Sequence, residues 1–558
     1  LYLGMKPIMI SDQIKHLALL LLVCFFSFFV HNDFIPADLM ESRNLATAQE
    51  MVALENYLAP TMNGELRLEK PPLPTWIAAC VNHIKPHSLS AQRYAAGVAA
   101  TLMVVFLYLV VRQLSKNSTV SFVCALILAT CYNVIMMGRT ATWDIYCHSF
   151  MLGAIFFFIK ALSHEGPQWR FFVFTGLFMG LSFLSKGPVS FFALLIPFII
   201  AYLVTWHPSF KGKMKPIIAM ILVCLMVSFW WPVYIYIFHR DWGVHIANKE
   251  SSSWLNHNVR PWYYYWQFPA EAGIWALFWV TSLVWPYWRK RFSQIHLHKI
   301  YLFSILWAVV SLILLSLIPE KKTRYLLPLL IPGAINVGLC LYYYLSGRLI
   351  LSREKRLFRI NMSLILLVIL ALPVALYLFF VQKQELEISL FAMICFCCFL
   401  LALLLAWSIY NRRVNYKIAL GCVIGTMLVV EGLCFIPAGK LFINNERHSI
   451  SEVRKIPVLQ HLPFYYVEGE ELRIELVYES DRVIRPLNIR NMNLVESKLP
   501  FVLVSATPAD SLLDASKWEI DEIGRYDNNW QKTNSRKYNP DLVRYVSVLR
   551  IKSTDSTP

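Results

Sequence analysis

Charge is what this sequence has least of. Asp, Glu, Lys and Arg together make up 16% of the 558 residues, against about 25% in ordinary soluble domains. Hydrophobic residues make up 57% and aromatics 15%, and mean hydropathy is +0.50. A disordered chain, a coiled coil and a typical soluble enzyme are excluded by that balance. Cysteine is missing beyond Cys434, so no disulfide framework staples the tail. Cys395, Cys397 and Cys398 share one apolar run without metal-ligand flanks and read as packing residues. There is no phosphate-binding P-loop, no dinucleotide-binding glycine turn, no internal repeat and no low-complexity tract. The net charge of +17 does not point to nucleic acid, because no Lys/Arg block is interleaved with exposed aromatics. Most cations lie in short loops between apolar runs, where they set topology and face anionic lipid.

What the chain has in abundance is apolar length. A window of about 19 residues finds thirteen candidate spans. They lie near 14–32, 94–112, 118–137, 144–163, 170–185, 188–206, 215–238, 272–288, 300–318, 325–345, 360–381, 389–410 and 417–437. The expected fold is therefore a polytopic α-helical membrane protein. His31-Asn32-Asp33-Phe34 follows the first span in place of a small-residue cleavage site, so that span reads as an uncleaved anchor. Loops such as Arg289-Lys290-Arg291 and Arg412-Arg413 place the N-terminus inside, and an odd count of spans then puts the tail outside. The expected division is a transmembrane domain over 1–438 and a small α/β extracytoplasmic domain over 439–558. In the latter, Arg473–Tyr478 and Val543–Val548 alternate like half-buried strands, and Pro500–Val504 reads as a buried one.

Polar residues beside a bilayer need a reason, and the pointed ones fall on the external side. The first external loop, 32–93, is too long for a simple connection. It carries Asp38, Glu41, Arg43 and Asn44, then Asn63-Gly64, then Glu69-Lys70-Pro71-Pro72. Within it Leu45–Leu54 has the spacing of an amphipathic helix on the membrane surface, and Lys70-Pro-Pro begins a second short helix. Three further turns follow. Gly138-Arg139-Thr140 leads to Asp144, Ser185-Lys186-Gly187-Pro188 supplies an ammonium, and Pro319-Glu320-Lys321-Lys322-Thr323-Arg324-Tyr325 supplies three cations. Cations of this kind suit a phosphate or pyrophosphate, and Glu41, Asp38 or Asp144 could orient a hydroxyl or serve as base. Trp76, Trp254, Trp262 and Tyr263 suit sugar rings or an interfacial belt. Each of these residues alone is more often a topology, anchor or paired residue; their repetition on one side gives the pattern weight. Pro86 spoils a helical pairing of His83 with His87. His245 or His257 beside Glu69 offers a divalent-metal reading weaker than that of solvated histidines, so no cofactor is expected.

Glu41-Ser-Arg43, Asn63-Gly64 and Leu-Glu69-Lys70-Pro-Pro-Leu resemble the aminoarabinose transferase and protein O-mannosyltransferase superfamily of bacterial GT-C membrane glycosyltransferases. Gly138–Asp144, Ser-Lys186-Gly-Pro, and Lys321 ahead of Tyr325-Leu-Leu-Pro328 follow in the order seen there. The resemblance implies a bundle of about 13 helices, amphipathic helices in the first external loop, and an inner-membrane protein with a cytoplasmic N-terminus and periplasmic tail. It implies transfer of a sugar from a polyprenyl-phosphate donor to a lipid, such as lipid A, or to a protein acceptor, by an inverting displacement. Arg43 and Lys70 correspond to the residues holding the carrier phosphate, with Lys186, Lys321 and Arg324 as further phosphate-binding residues. Glu69 and Tyr325 position substrate, and the later carboxylate is Asp144. Where the superfamily carries an Asp just before the Glu-x-Arg, this chain has Met40, which leaves Glu41, Asp38 and Asp144 as candidates for the base. An acceptor phosphate would need none. The expected partners are the donor, its acceptor and membrane lipid, with the chain a monomer. The rival readings are a polyprenyl-glycolipid flippase and a catalytically silent homologue. The flippase leaves the soluble tail and the one-sided charges unexplained.

Overall fold

The computed structural model describes residues 12–256, 258–347, 350–382, 386–444, 446–514 and 517–552. Most of these residues are helical. In chain order the first eight helices are α1 (Asp12–Phe28), α2 (Leu39–Ala53), α3 (Leu73–Ile84), α4 (Leu89–Ser115), α5 (Ser118–Ala129), α6 (Tyr132–Gly138), α7 (Trp143–Ser163) and α8 (Trp169–Lys186). Each of the thirteen apolar stretches read from the sequence falls on a helix or on a bent pair of helices. Eight of the described helices are long and apolar enough to cross a membrane, and ten if each bent pair is one span. The difference has a physical source. α5 and α6 meet at 68°, the segments Trp262–Ser282 and Trp285–Ser293 meet at 85°, and Phe191–Trp206 is a shorter helix. A hydropathy window registers apolar content and is blind to such breaks.

The chain divides into two compact units. One comprises 1–32, 69–73 and 93–435; the other comprises 33–68, 74–92 and 436–558. The first is the helical bundle. Its close packing uses small residues at helix contacts: a Cβ on Gly176 of α8 would stand 2.3 Å from the Met220 carbonyl oxygen, and one on Gly180 would stand 2.5 Å from Val227. The bent segments are tied by buried polar contacts. Trp275 Nε1 donates to Thr130 Oγ1 (2.8 Å) and Asn133 donates to Glu271 (2.7 Å). Arg139, at the end of α6, spends its guanidinium on the terminus of α1, donating to the carbonyls of Phe26, Ser27 and Val30 at 2.7 Å each. Those carbonyls have no partner within α1, so a buried cation at the negative end of the helix satisfies them.

The second unit is held together by residues far apart in sequence. Most of the first loop packs with the tail, and the boundary expected at 438/439 falls inside the helix Phe435–Phe442. α2 starts where Asp38 accepts the Glu41 N–H (2.8 Å), an N-cap. From Glu41 to Met51 every residue but Arg43 is buried, so this helix is enclosed round its circumference, where the sequence suggested an amphipathic surface helix. Its polar residues have internal partners. Glu50 accepts Thr61 Oγ1 (2.7 Å), the Gly64 N–H (3.1 Å) and the Asn63 N–H. It thereby fastens the hairpin β1 (Thr61–Met62) and β2 (Glu65–Leu66), whose turn residues Asn63 and Gly64 have φ of +57° and +80°.

The tail forms a five-stranded sheet of order β4-β3-β5-β7-β6, with β3 (Phe464–Val467), β4 (Ile484–Leu487), β5 (Phe501–Ser505), β6 (Trp518–Asp527) and β7 (Val543–Ile551). β3 pairs in parallel with β4 and β5, and β7 pairs antiparallel with β5 and β6. β5 and β7 lie where strands were expected. Arg473–Tyr478 does not: Ile474–Ser480 is a helix. Parallel β3 and β4 need a crossover, and a short helix supplies it; apparent alternation in six residues cannot reveal that demand. β4 is an edge strand, and Asn63 covers its exposed backbone by donating to the Ile484 carbonyl (2.9 Å) and accepting the Ile484 N–H (2.7 Å). Asn63→Ala is expected to remove both bonds, costing about 1–3 kcal/mol, and to speed amide exchange at Ile484. Unchanged exchange there would show that the loop does not depend on this contact.

Candidate active site

In the bundle unit the site is assembled from helix ends. Asp144 lies in the first turn of α7 and Lys186 in the last turn of α8, the termini where a carboxylate and an ammonium are favoured by the helix dipole. Gly187, at φ +70°, and Pro188 stop α8 at that point. Lys186 Nζ is in direct contact with Asp144 Oδ1, and their side chains are 8% and 2% exposed. A pair this deep survives because each charge neutralises the other's desolvation cost.

Tyr325 organises the remainder. Its ring centroid lies 4.8 Å from Lys186 Nζ, 5.7 Å from Lys322 Nζ and 5.7 Å from the Arg324 guanidinium. Its hydroxyl donates to Glu320 (3.4 Å), which is also paired with Lys322 at 2.6 Å. The loop is braced by Tyr265, whose hydroxyl accepts the Lys322 N–H (3.2 Å) and donates to the Lys322 carbonyl (3.3 Å). Lys321 donates to the Ile318 carbonyl (2.5 Å), and burial pushes its ammonium below the usual lysine range. A cavity of about 50 Å³ opens among Asp144, His148, Phe192, Tyr265, Glu320 and Tyr325. Its charged lining is the two carboxylates Asp144 and Glu320, while three cations gather about the Tyr325 ring, so the cluster around that ring carries an excess of one positive charge. That balance suits an anionic group.

Of the residues read from the sequence, Asp144, Lys186, Arg324 and Tyr325 come together here, with Lys321 in the adjoining turn. Lys70 and Glu69 belong to the same unit, and Glu69 is paired with Lys249 (3.2 Å) on the helix Arg240–Asn256. Asp38, Glu41 and Arg43 belong to the other unit. Asp38 is engaged as the α2 cap, Glu41 is fully buried, and the Arg43 carbonyl accepts from Thr47 and Arg67. His245 is exposed, His257 lies outside the described residues, and no metal-binding group of three His, Cys, Asp or Glu occurs among the described residues. His83 and His87 do not pair: His87 turns to Asp481 (3.6 Å). Three polar lining residues went unassigned in the sequence. Glu320 and Tyr265 offered no signal of their own, whereas His148 stands one turn after Asp144 on the same face of α7 and was legible by that spacing. His148 is buried, and its Nδ1 has no hydrogen-bond partner among the described residues.

Residues 69–232 match the family described as dolichyl-phosphate-mannose-protein mannosyltransferase. The undecaprenyl phosphate-alpha-4-amino-4-deoxy-L-arabinose arabinosyl transferase 1 of Pseudomonas fluorescens (strain Pf0-1) is 25% identical over 345 residues, covering 59% of this chain and 57% of that protein. The corresponding transferase of Pseudomonas aeruginosa (strain UCBPP-PA14) is 25% identical over 369 residues, covering 63% and 64%. The chain thus spans less than two thirds of these relatives' length. In backbone it is similar to ArnT from Cupriavidus metallidurans bound to undecaprenyl phosphate, with a TM-score of 0.67, 16% identity, and 98% and 99% of the two chains covered. These matches bear out the resemblance to the aminoarabinose transferase and protein O-mannosyltransferase superfamily, with its GT-C fold, read from the sequence.

The ion pair yields a test that separates stability from chemistry. Lys186→Met or Asp144→Leu alone is expected to strand a buried charge and cost about 3–5 kcal/mol, whereas the double substitution recovers most of that loss. Thermal unfolding in detergent reads all three. A double variant no more stable than the singles would mean that the pair does not balance its own burial.

Proposed function

We propose that this chain is a membrane glycosyltransferase that moves a sugar from a polyprenyl-phosphate donor to an acceptor at the outer face of the bacterial inner membrane. The observation that carries the reading is the net positive cluster about Tyr325, set beside the Asp144–Lys186 pair at adjoining helix mouths. The relatives named for undecaprenyl-phosphate-linked aminoarabinose support the donor class.

In this reading the acceptor oxygen forms a bond to the anomeric carbon as the bond to the donor phosphate breaks, with inversion. The electron pair leaves on polyprenyl phosphate. Lys70 and the cations beside Tyr325 stabilise the departing charge, an electrostatic contribution of about 3–4 kcal/mol per well-placed donor. Tyr265 and Tyr325 flank the sugar, and Asp144 orients it while Lys186 holds that carboxylate in place.

The acceptor is a phosphate, as on a lipid A-like glycolipid. A hydroxyl acceptor needs a general base, and the carboxylates considered for it are engaged: Asp38 caps a helix, Glu41 is enclosed, Asp144 is paired with Lys186 and Glu320 with Lys322. A phosphate arrives already anionic. Met40, where a carboxylate would be expected, is then tolerated.

The test uses purified full-length protein with labelled native polyprenyl-phosphate sugars and cell-envelope lipids and proteins. Label is expected to pass to the lipid fraction, with Lys70→Ala and Asp144→Asn each lowering the rate by about 10²–10³-fold. Label in the protein fraction would overturn the acceptor. Demonstrable donor binding without transfer would favour a silent homologue, and full activity in both variants would overturn the site.

A further inference from the structure

In the tail sheet, β3 lies between its two parallel neighbours. The chain leaves β3 through the helix Ile474–Ser480 to β4 on one side, then returns through Met492–Lys498 to β5 on the other. Such a reversal opens a crevice beyond the carboxyl ends of the two strands, the position where open α/β sheets bind ligands. Here those ends are Val467 and Ser505.

The crevice already holds an anion, and it is the protein's own. Glu470, in the loop after β3, reaches across so that its two carboxylate oxygens accept the Ala506 N–H at 3.2 and 3.0 Å. Arg544 stands beside it, one residue before Tyr545, which pairs with Ser505. It is 2% exposed, and it donates through Nη1 to the Val543 carbonyl (2.8 Å) and through Nη2 to that of Glu471 (2.5 Å). Its Nε has no hydrogen-bond partner among the described residues and lies 4.0 Å from Glu470 Oε2. Burial pushes the Glu470 carboxyl above the usual range, yet its side chain is 20% exposed, so water reaches it.

A main-chain N–H and a buried guanidinium aimed at one point form an anion-binding arrangement. The planar carboxylate reaches the N–H and leaves Nε unsatisfied, whereas a tetrahedral group has a further oxygen to offer. We infer that the crevice at the ends of β3 and β5 is a site for a phosphate monoester, in which Glu470 serves as a displaceable stand-in. This goes beyond the proposed transfer reaction and does not depend on it. Asp541 and Glu471 also act on Arg544, so the wild-type protein is expected to bind such a group weakly.

The experiment compares inorganic phosphate binding, by calorimetry, to the full-length protein and to Glu470→Gln and Glu470→Ala in phosphatidylcholine nanodiscs. Both substitutions remove the competing charge, and each is expected to tighten binding on the order of tenfold, the loss of one charge-assisted competitor. Adding Arg544→Lys to Glu470→Gln is expected to abolish the gain. A second arm adds phosphatidic acid to the nanodisc: displacement of inorganic phosphate by it assigns the site to a lipid headgroup, and persistence of phosphate binding assigns it to a soluble monoester. Binding no tighter in Glu470→Gln than in wild type, with circular dichroism unchanged, overturns the inference. So does a gain that survives Arg544→Lys. If Arg544→Lys does not fold, the two Glu470 variants decide the matter alone.

Discussion

A charge can be carried into an apolar bundle only with its opposite, and the arrangement of helix ends around Asp144 follows from that constraint. The carboxylate stands at the head of α7 and the ammonium at the tail of α8, so each is favoured by its own helix before the two meet. Their pairing then fixes the mouths of both helices against each other. Tyr325 extends the same logic, since one aromatic ring gathers three cations and its hydroxyl reaches the carboxylate that balances one of them. Rigid electrostatics of this kind cost no reorganisation when charge develops on a leaving group.

The same accounting separates residues that serve the site from residues that serve the fold. Arg139 looks, in sequence, like another loop cation near Asp144. In three dimensions its guanidinium closes the open end of α1 and stacks 4.5 Å over Phe435. Asn63-Gly64 is likewise structural: it turns a hairpin, accepts the hold of Glu50 and covers the edge of β4. Both motifs marked positions of consequence, and neither touches the cavity.

The first loop and the tail illustrate a different economy. An isolated sheet of five strands has a vulnerable edge, and a long loop has polar backbone to satisfy. Packed as one unit, each supplies what the other lacks. Within that sheet the reversal of strand order produces a crevice, and Glu470 fills it with a carboxylate that meets the main-chain donor but not Arg544 Nε. Incomplete satisfaction of a buried cation is costly, which is why its geometry carries information.

Composition and apolar periodicity by themselves determined that this is a helical membrane protein with a mixed tail, because hydrophobic length is additive along the chain and needs no partner to be read. Motif spacing also brought out Asp144, Lys186, Arg324 and Tyr325, since residues at the mouths of spans are confined to one plane. Contacts between distant segments were decided only by the tertiary structure. Bends of 68° and 85° broke runs that look continuous, and a parallel sheet demanded a helix where six residues alternate like a strand. Asp38 became a cap, Glu41 an enclosed residue and His148 a wall of the cavity. Each of these outcomes turns on which atom lies within a few ångströms of another, and adjacency in space is not encoded in any local pattern.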